Sequence, residues 1–301
     1  MQRIRWCRPA LALLAALLGW SPLIAPAARA GAADSWWHPG PSTLRWQWEL
    51  DHPLRLTNAK DMGTSSLLPE KQPAPAPTVY DIDGIINSGA TVAALHRLGD
   101  RAICYVEVGS AGNYYSPKEE GISKAYYAQF KSAGVMGKKV SGYPESFLNI
   151  KSPKTLGIVE SMINTQCAAK GFDAVETDLD ETYAGAEGST GFGLTQQDEL
   201  DYMAALSTYM HGLGLAWIAK NPDDTGDNYA ALIAPEADAV LTEECNQYST
   251  CSALSAFIGV KAVFNAEYSL RPKSFCAADI NRQINGVQFS KSLDGTRHPC
   301  Q

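Results

Sequence analysis

Short apolar runs with polar ends recur along the chain and alternate with stretches of helical periodicity. Residues 46–50 interleave Trp46 and Trp48 with polar positions, and residues 78–85, 101–108, 146–150, 215–221, 237–242 and 261–267 each read as a strand. The run GFDAVETDLDETY at 171–183 begins as a buried strand through Phe172, Ala174 and Val175 and ends in Glu176, Asp178, Asp180 and Glu181. Like charges crowded in this way raise one another's pKa and call for partners or a substrate. Helices fall between the strands. Residues 91–98 make a short one closed near Gly99; Ser152 can cap another with Pro153 at its first position, and Leu156, Val159 and Ile163 form its apolar stripe. Thr195 with Asp198 three residues on opens a third, which Gly212 and Gly214 stop, while the Pro-rich stretch 67–77 favours neither helix nor strand. Strands alternating with helical segments imply right-handed βαβ units, and about eight of them predict an α/β fold, a single-domain (β/α)8 TIM barrel. No GxGxxG turn is present to favour a dinucleotide-binding sheet.

The N-terminus stands apart from this pattern. Arg3, Arg5 and Arg8 precede the apolar run 11–18, and Ala28-Arg29-Ala30 supplies small residues for cleavage, so residues 1–30 read as a signal peptide. Residues 31–45 follow as a flexible leader and 46–301 as the barrel. The apolar run is shorter than the roughly 20 residues a membrane span needs. The expected product is secreted or periplasmic, monomeric and not membrane-bound after signal removal. Cys7 leaves with the signal; Cys104, Cys167, Cys245, Cys251, Cys276 and Cys300 remain, an even set that favours disulfides in an exported protein. Cys245 with Cys251 would close a short loop, and Cys276 with Cys300 would tie down the tail. The five scattered histidines and the lack of a CxxC pair give no metal-site spacing, and neither metal nor cofactor is expected. Loss of Arg3, Arg5, Arg8 and Arg29 lowers the net charge from −7 to about −11, which disfavours nucleic acid and suits a cationic ligand.

In TIM barrels the chemistry sits at the C-terminal strand ends, and here those ends are acidic. They carry Asp81 and Asp83, Tyr105 and Glu107, Glu176 and Asp178, Lys220 and Asn221, Glu243 and Glu244, and Glu267 and Tyr268. Trp46, Trp48, Tyr114, Tyr115, Tyr143, Tyr183, Trp217 and Tyr248 offer stacking surfaces. Carboxylates without a histidine at a strand end point to glycoside cleavage, where one carboxyl protonates the leaving oxygen and the other attacks or activates water.

The segments YDIDG (80–84), CYVEVGS (104–110), YPESFLNI (143–150), GFDAVETD (171–178), GFGLTQQDELDY (191–202), Lys220-Asn221, TEEC (242–245) and AEY (266–268) together resemble glycoside hydrolase family 114. That resemblance implies a TIM barrel of the endo-α-1,4-polygalactosaminidase type acting on galactosamine-rich exopolysaccharide, a cationic amino-sugar polymer. It assigns the catalytic carboxyls to Asp178 and Glu243, and the sugar site to Asp83, Tyr105, Glu176, Lys220, Asn221, Glu267 and Tyr268, to which we add Trp48. The chain departs from the family pattern at Gly112 and Tyr115, where a Glu and an Arg are common, and at Leu179, where an Asn is. Two other readings stand beside this one: a non-catalytic carbohydrate-binding barrel, and a metal-dependent hydrolase or deacetylase using Asp178, Asp180 and Glu243.

Overall fold

The computed structural model describes residues 36–41, 43–112, 120–185 and 189–301. The expected signal peptide, much of the leader, and Tyr114 and Tyr115 lie outside the described residues. In chain order the strands are β1 (Trp46–Glu49), β2 (Val79–Asp83), β3 (Arg101–Glu107), β4 (Ser110–Ala111), β5 (Met136–Lys139), β6 (Ser146–Leu148), β7 (Ala174–Asp178), β8 (Ala216–Lys220), β9 (Ala239–Glu243), β10 (Ala262–Glu267), β11 (Asn285–Phe289) and β12 (Arg297–Pro299). The helices are α1 (Gly89–Leu98), α2 (Glu120–Ala133), α3 (Pro153–Gln166), α4 (Gln196–Gly212), α5 (Tyr229–Ile233), α6 (Cys245–Tyr248) and α7 (Pro272–Arg282).

In the main sheet β1, β2, β3, β7, β8, β9, β10 and β11 run parallel in that order, and β12 adds antiparallel to β11. The two outer parallel strands are tied by side chains: Trp46 Nε1 donates to the Asn285 carbonyl at 2.8 Å, and the Leu44 N–H to Asn285 Oδ1 at 2.7 Å. The sheet thus curls into a nearly closed (β/α)8 barrel.

Strand alternation decides what faces where. Trp46, Trp48, Ile103, Ala174, Ile218, Leu241 and Phe264 pack together inside the barrel, while Val106, Val175, Trp217, Val240 and Val263 pack outward against Val92, Leu95, Val159, Ile163, Met203 and Leu206 of the helical layer. Counting on by twos, Tyr105, Asp178, Lys220 and Glu243 share the interior phase and emerge at the barrel mouth. Glu267 shares the outward phase of Val263.

The expected helix signals are used. The Ser152 hydroxyl accepts from the Lys154 N–H at 3.3 Å with Pro153 opening α3, and Thr195 and Asp198 form a reciprocal capping box on α4. Two strand readings need correction. Residues 146–150 form no barrel stave: β6 pairs with β4 and β5 in a separate antiparallel sheet, and β3 pairs directly with β7. The remaining stave is β11, whose sequence NGVQF is too polar to announce a buried strand. Disulfides join Cys245 to Cys251 and Cys276 to Cys300 as expected, and Cys104 to Cys167, which fastens β3 to the residue after α3.

Candidate active site

Lys220 ends β8 inside the barrel mouth and is almost sealed from water. Its ammonium lies 3.2 Å from Asp178 Oδ1, 3.1 Å from Glu243 Oε2 and 3.3 Å from Glu176 Oε1, with the Trp48 ring centroid 4.9 Å away on another side. Burying a cation is costly unless it is paired, and three carboxylates with an aromatic face meet that cost. The lysine itself is held well above its usual pKa by Asp178, Glu243 and Glu176 despite the opposing pull of burial, so it stays charged.

Asp178 and Glu243 are the two of these carboxylates that reach solvent, with side chains 25% and 26% exposed. Each has its own phenol. Tyr105 donates to Asp178 Oδ2 at 2.6 Å, and Tyr268 donates to Glu243 Oε1. Asn221 makes a reciprocal clamp, its Nδ2 donating to Glu243 Oε2 at 3.0 Å while its Oδ1 accepts from the Glu243 N–H at 2.8 Å. Because Asp178 Oδ1 and Glu243 Oε2 lie 3.2 and 3.1 Å from one nitrogen, they can be no farther apart than the sum of the two, about 6.3 Å.

Beneath this pair Glu176 and Asp81 are buried side by side, and if both were ionised neither would find a hydrogen-bond donor in the other. Burial, with Glu176 beside it, raises Asp81 well above the carboxylate range, so Asp81 keeps its proton and donates it to Glu176. Glu176 is itself pushed up to about 7 by burial, against the pull of Lys220. The two acids behave as one charge, directed at the ammonium.

The cleft over the pair has a volume of about 610 Å³. Of the residues expected at a sugar site, Trp48, Tyr105, Asp178, Lys220, Asn221, Glu243 and Tyr268 line it, Trp48 as a buried floor under Lys220. Asp83, Glu176 and Glu267 lie behind the lining. Asp83 Oδ1 accepts from the Ile85 and Ile86 N–H groups at 2.6 and 3.0 Å and shapes the turn after β2, while Glu267, pointing outward, accepts from the Asn246 N–H at 2.8 Å and holds α6. Among the aromatics, Trp46 and Trp217 are core, whereas Tyr143 and Tyr248, 61% and 66% exposed, stand in the cleft wall. The strand-end reading passed over Asp51, Glu145, Asp224 and Lys291, all cleft residues on loops whose reach no strand pattern gives.

Asp178, Asp180 and Glu243 do not converge as a metal-ligand set. Lys220 fills the space between the first and last, and Asp180 is buried, accepting from the Thr177 hydroxyl at 2.6 Å and the Lys220 N–H at 3.1 Å. Among the described residues the convergent donor set is Glu49, His52 and Asp61, where Arg55 already serves as the cation, bonding the two Asp61 oxygens at 2.8 and 2.9 Å.

Comparison with solved structures finds the same fold in Ega3 of Aspergillus fumigatus, crystallised with galactosamine, at 24% identity and a TM-score of 0.69 over 88% of this chain and 97% of that one. The glycoside hydrolase domain of PelA from Pseudomonas aeruginosa matches at 12% identity and a TM-score of 0.55, over 83% of this chain and 96% of that one. Comparison with curated protein sequences finds no match. The family model of glycoside-hydrolase family GH114 matches residues 25–301, and with a barrel mouth built around two lysine-bridged carboxylates, the chain belongs to that family of glycoside hydrolases.

Proposed function

We propose that this glycoside hydrolase is secreted and cleaves α-1,4-linked, galactosamine-rich polysaccharide within the chain, with Asp178 as nucleophile and Glu243 as acid and base. The observation that carries the reading is the bridging of these two cleft carboxylates by one buried ammonium, with nearest oxygens no more than about 6.3 Å apart. Retaining glycosidases hold their carboxyl groups about 5–5.5 Å apart, and the inverting geometry needs roughly 6.5–9.5 Å. Both carboxylates are held on both oxygens, Asp178 by Tyr105 and Lys220 and Glu243 by Tyr268, Asn221 and Lys220, so the roles are assigned on reach, with the shorter Asp178 as the fixed nucleophile. Glu243, one methylene longer, suits a group that must reach the leaving oxygen.

In the first step the Asp178 carboxylate attacks the anomeric carbon, the glycosidic C–O bond breaks, and the Glu243 proton passes to the departing sugar oxygen. In the second, Glu243 takes a proton from water, the hydroxide adds to the anomeric carbon, and Asp178 leaves. Lys220 keeps the sum of charges near the anomeric carbon from becoming prohibitive while both carboxyls cycle.

The galactosamine bound by Ega3 supports an amino-sugar substrate, as do the cleft acids Asp51, Glu145, Glu181, Asp224 and Glu244, which outweigh Lys291 there. The open cleft with exposed Tyr143 and Tyr248 supports binding along a polymer. Three disulfides and the apolar N-terminal run support export; among the described residues no helix is long and apolar enough to cross a membrane. Reducing ends released from de-N-acetylated α-1,4-galactosamine polymer are the test. Wild-type protein should release them as a ladder of oligosaccharides, and D178N and E243Q should each lose about 10²–10⁴-fold. Turnover retained in both variants would end the assignment.

A further inference from the structure

Resting on the hydrolase reading above, we propose that Tyr268 is a catalytic residue: its phenol relays the Glu243 proton to the leaving sugar oxygen and returns one from water in the second step. The two oxygens of Glu243 are not equivalent. Oε2 accepts from Asn221 Nδ2 at 3.0 Å and lies 3.1 Å from the Lys220 ammonium. Neither neighbour can take a proton from it. An ammonium has no lone pair, and Asn221 turns its nitrogen this way because its Oδ1 accepts from the Glu243 N–H at 2.8 Å. Two N–H donors fill both lone pairs of Oε2. When Glu243 is the acid, its proton therefore sits on Oε1.

Oε1 meets the Tyr268 hydroxyl. Against a carboxylate the phenol donates. Against a protonated Oε1 the contact survives only by reversing: the phenol oxygen, which both donates and accepts, takes the carboxyl hydrogen bond and turns its own O–H elsewhere. The cleft is where it turns, because Tyr268 follows β10 at the barrel mouth, packs against the barrel's interior cluster and lines the cleft beside Glu243. Gln288 Nε2 donates to the Tyr268 carbonyl at 3.3 Å and ties this residue to β11. The hydrogen offered to a substrate is then the phenol's, with Glu243 behind it.

As the glycosidic C–O bond breaks, the leaving oxygen takes the phenol hydrogen and the phenol oxygen takes the carboxyl hydrogen. Tyr268 ends neutral and donates again to an ionised Glu243, which restores the contact seen in the structure. In the second step water gives a proton to the phenol oxygen as its hydroxide joins the anomeric carbon, and the phenol hydrogen passes to Oε1. Burial and the adjacent Glu243 hold Tyr268 well above its usual pKa, so a free phenolate is disfavoured and the two transfers move together.

The test compares wild type and Y268F on a de-N-acetylated α-1,4-galactosamine oligosaccharide, whose departure needs a proton, and on α-galactosaminyl fluoride, whose departure does not. Loss of the relay should lower kcat/KM on the oligosaccharide by about 10²-fold, and at least about tenfold more than on the fluoride. The second readout is kcat/KM on the oligosaccharide in mixtures of light and heavy water. Two protons in flight bow the plot against deuterium fraction in wild type, and a single transfer leaves it straight in Y268F. A phenol that merely braces Glu243 would give a straight plot in both. Equal losses on the two substrates, no loss on either, or a straight wild-type plot would overturn the relay, and the wild-type plot decides even if Y268F fails to fold. Oligosaccharide left uncut by wild type would refute the hydrolase reading, and the relay with it, since no acid step remains to serve; cutting with a straight plot refutes the relay alone.

Discussion

Lys220 concentrates the site into one atom. Its ammonium joins a nucleophile candidate, an acid/base candidate and the buried Glu176–Asp81 pair, so removing it should damage stability and turnover at once. Lys220→Met leaves Glu176 with no cation in a buried position, and we expect a loss of about 3–5 kcal/mol in denaturant unfolding together with a fall of at least about 10²-fold in kcat/KM. Unchanged unfolding with full activity would contradict the arrangement. At this scale much of the site was legible in the sequence: Asp178, Glu243, Lys220, Asn221, Tyr105 and Tyr268 all stand where strand-end residues should. Glu267 was not legible. In AVFNAE both alternating phases begin apolar, so nothing in the sequence says that Val263 faces the helices and carries Glu267 outward with it. Asp83 has the inward phase, but its oxygen is spent on two backbone N–H groups, a detail of the turn rather than of the strand.

At the scale of elements, three strands end alike. The residues following Asp178 and Lys220 and that following Glu243, namely Leu179, Asn221 and Glu244, have φ of 57°, 44° and 55°, left-handed backbone at residues that are not glycine. Such residues cost about 1–2 kcal/mol each and recur at functional sites. The surroundings hold them: a β-carbon on Gly109 would overlap the Leu179 carbonyl, and Leu179 packs with Val140 and Phe147 of the β5–β6 hairpin. Asn, the family's common residue here, adopts this backbone more readily, so Leu179 exchanges conformational ease for a fastening between the hairpin and Asp178. Leu179→Ala should therefore cost about 2–3 kcal/mol and lower kcat more than it raises KM. Leu179→Asn should be milder in stability, because the backbone strain is relieved as the packing is lost. Kinetics with urea unfolding of both variants checks this, and an L179A protein as stable as wild type would contradict it. The sequence could not show these turns, since no glycine marks them. It placed β6 in the barrel because SFLNI is as apolar as a stave, although the hairpin that claims it is set by distant pairing.

Over the whole molecule, buried acids make stability fall as pH rises. Burial pushes Glu49 and Glu199 up to about 8 and Asp180 and Glu176 up to about 7. Unfolded, these groups release their protons near pH 4 to 4.5. Between that point and about pH 8 the native state holds protons that the unfolded chain does not, so stability declines across the window and levels off above it. At the acid end Asp198, lowered by Thr195, and Asp294, lowered by Lys60, lose their contributions below about pH 4. The melting temperature should peak near about pH 5 and drop by at least about 5 °C by pH 8.5, with Glu199→Gln flattening part of the slope. A flat or rising profile in thermal scanning would contradict this. The most direct measurement on the chemistry is peptide mass mapping of E243Q protein after incubation with an α-galactosaminyl fluoride. Fluoride departs without an acid, so glycosylation proceeds, but without Glu243 as base the intermediate should accumulate. One hexosaminyl unit is expected on the peptide bearing Asp178; a label on any other carboxylate, or hydrolysis of the fluoride at the wild-type rate with no label, would rule out Asp178 as the nucleophile.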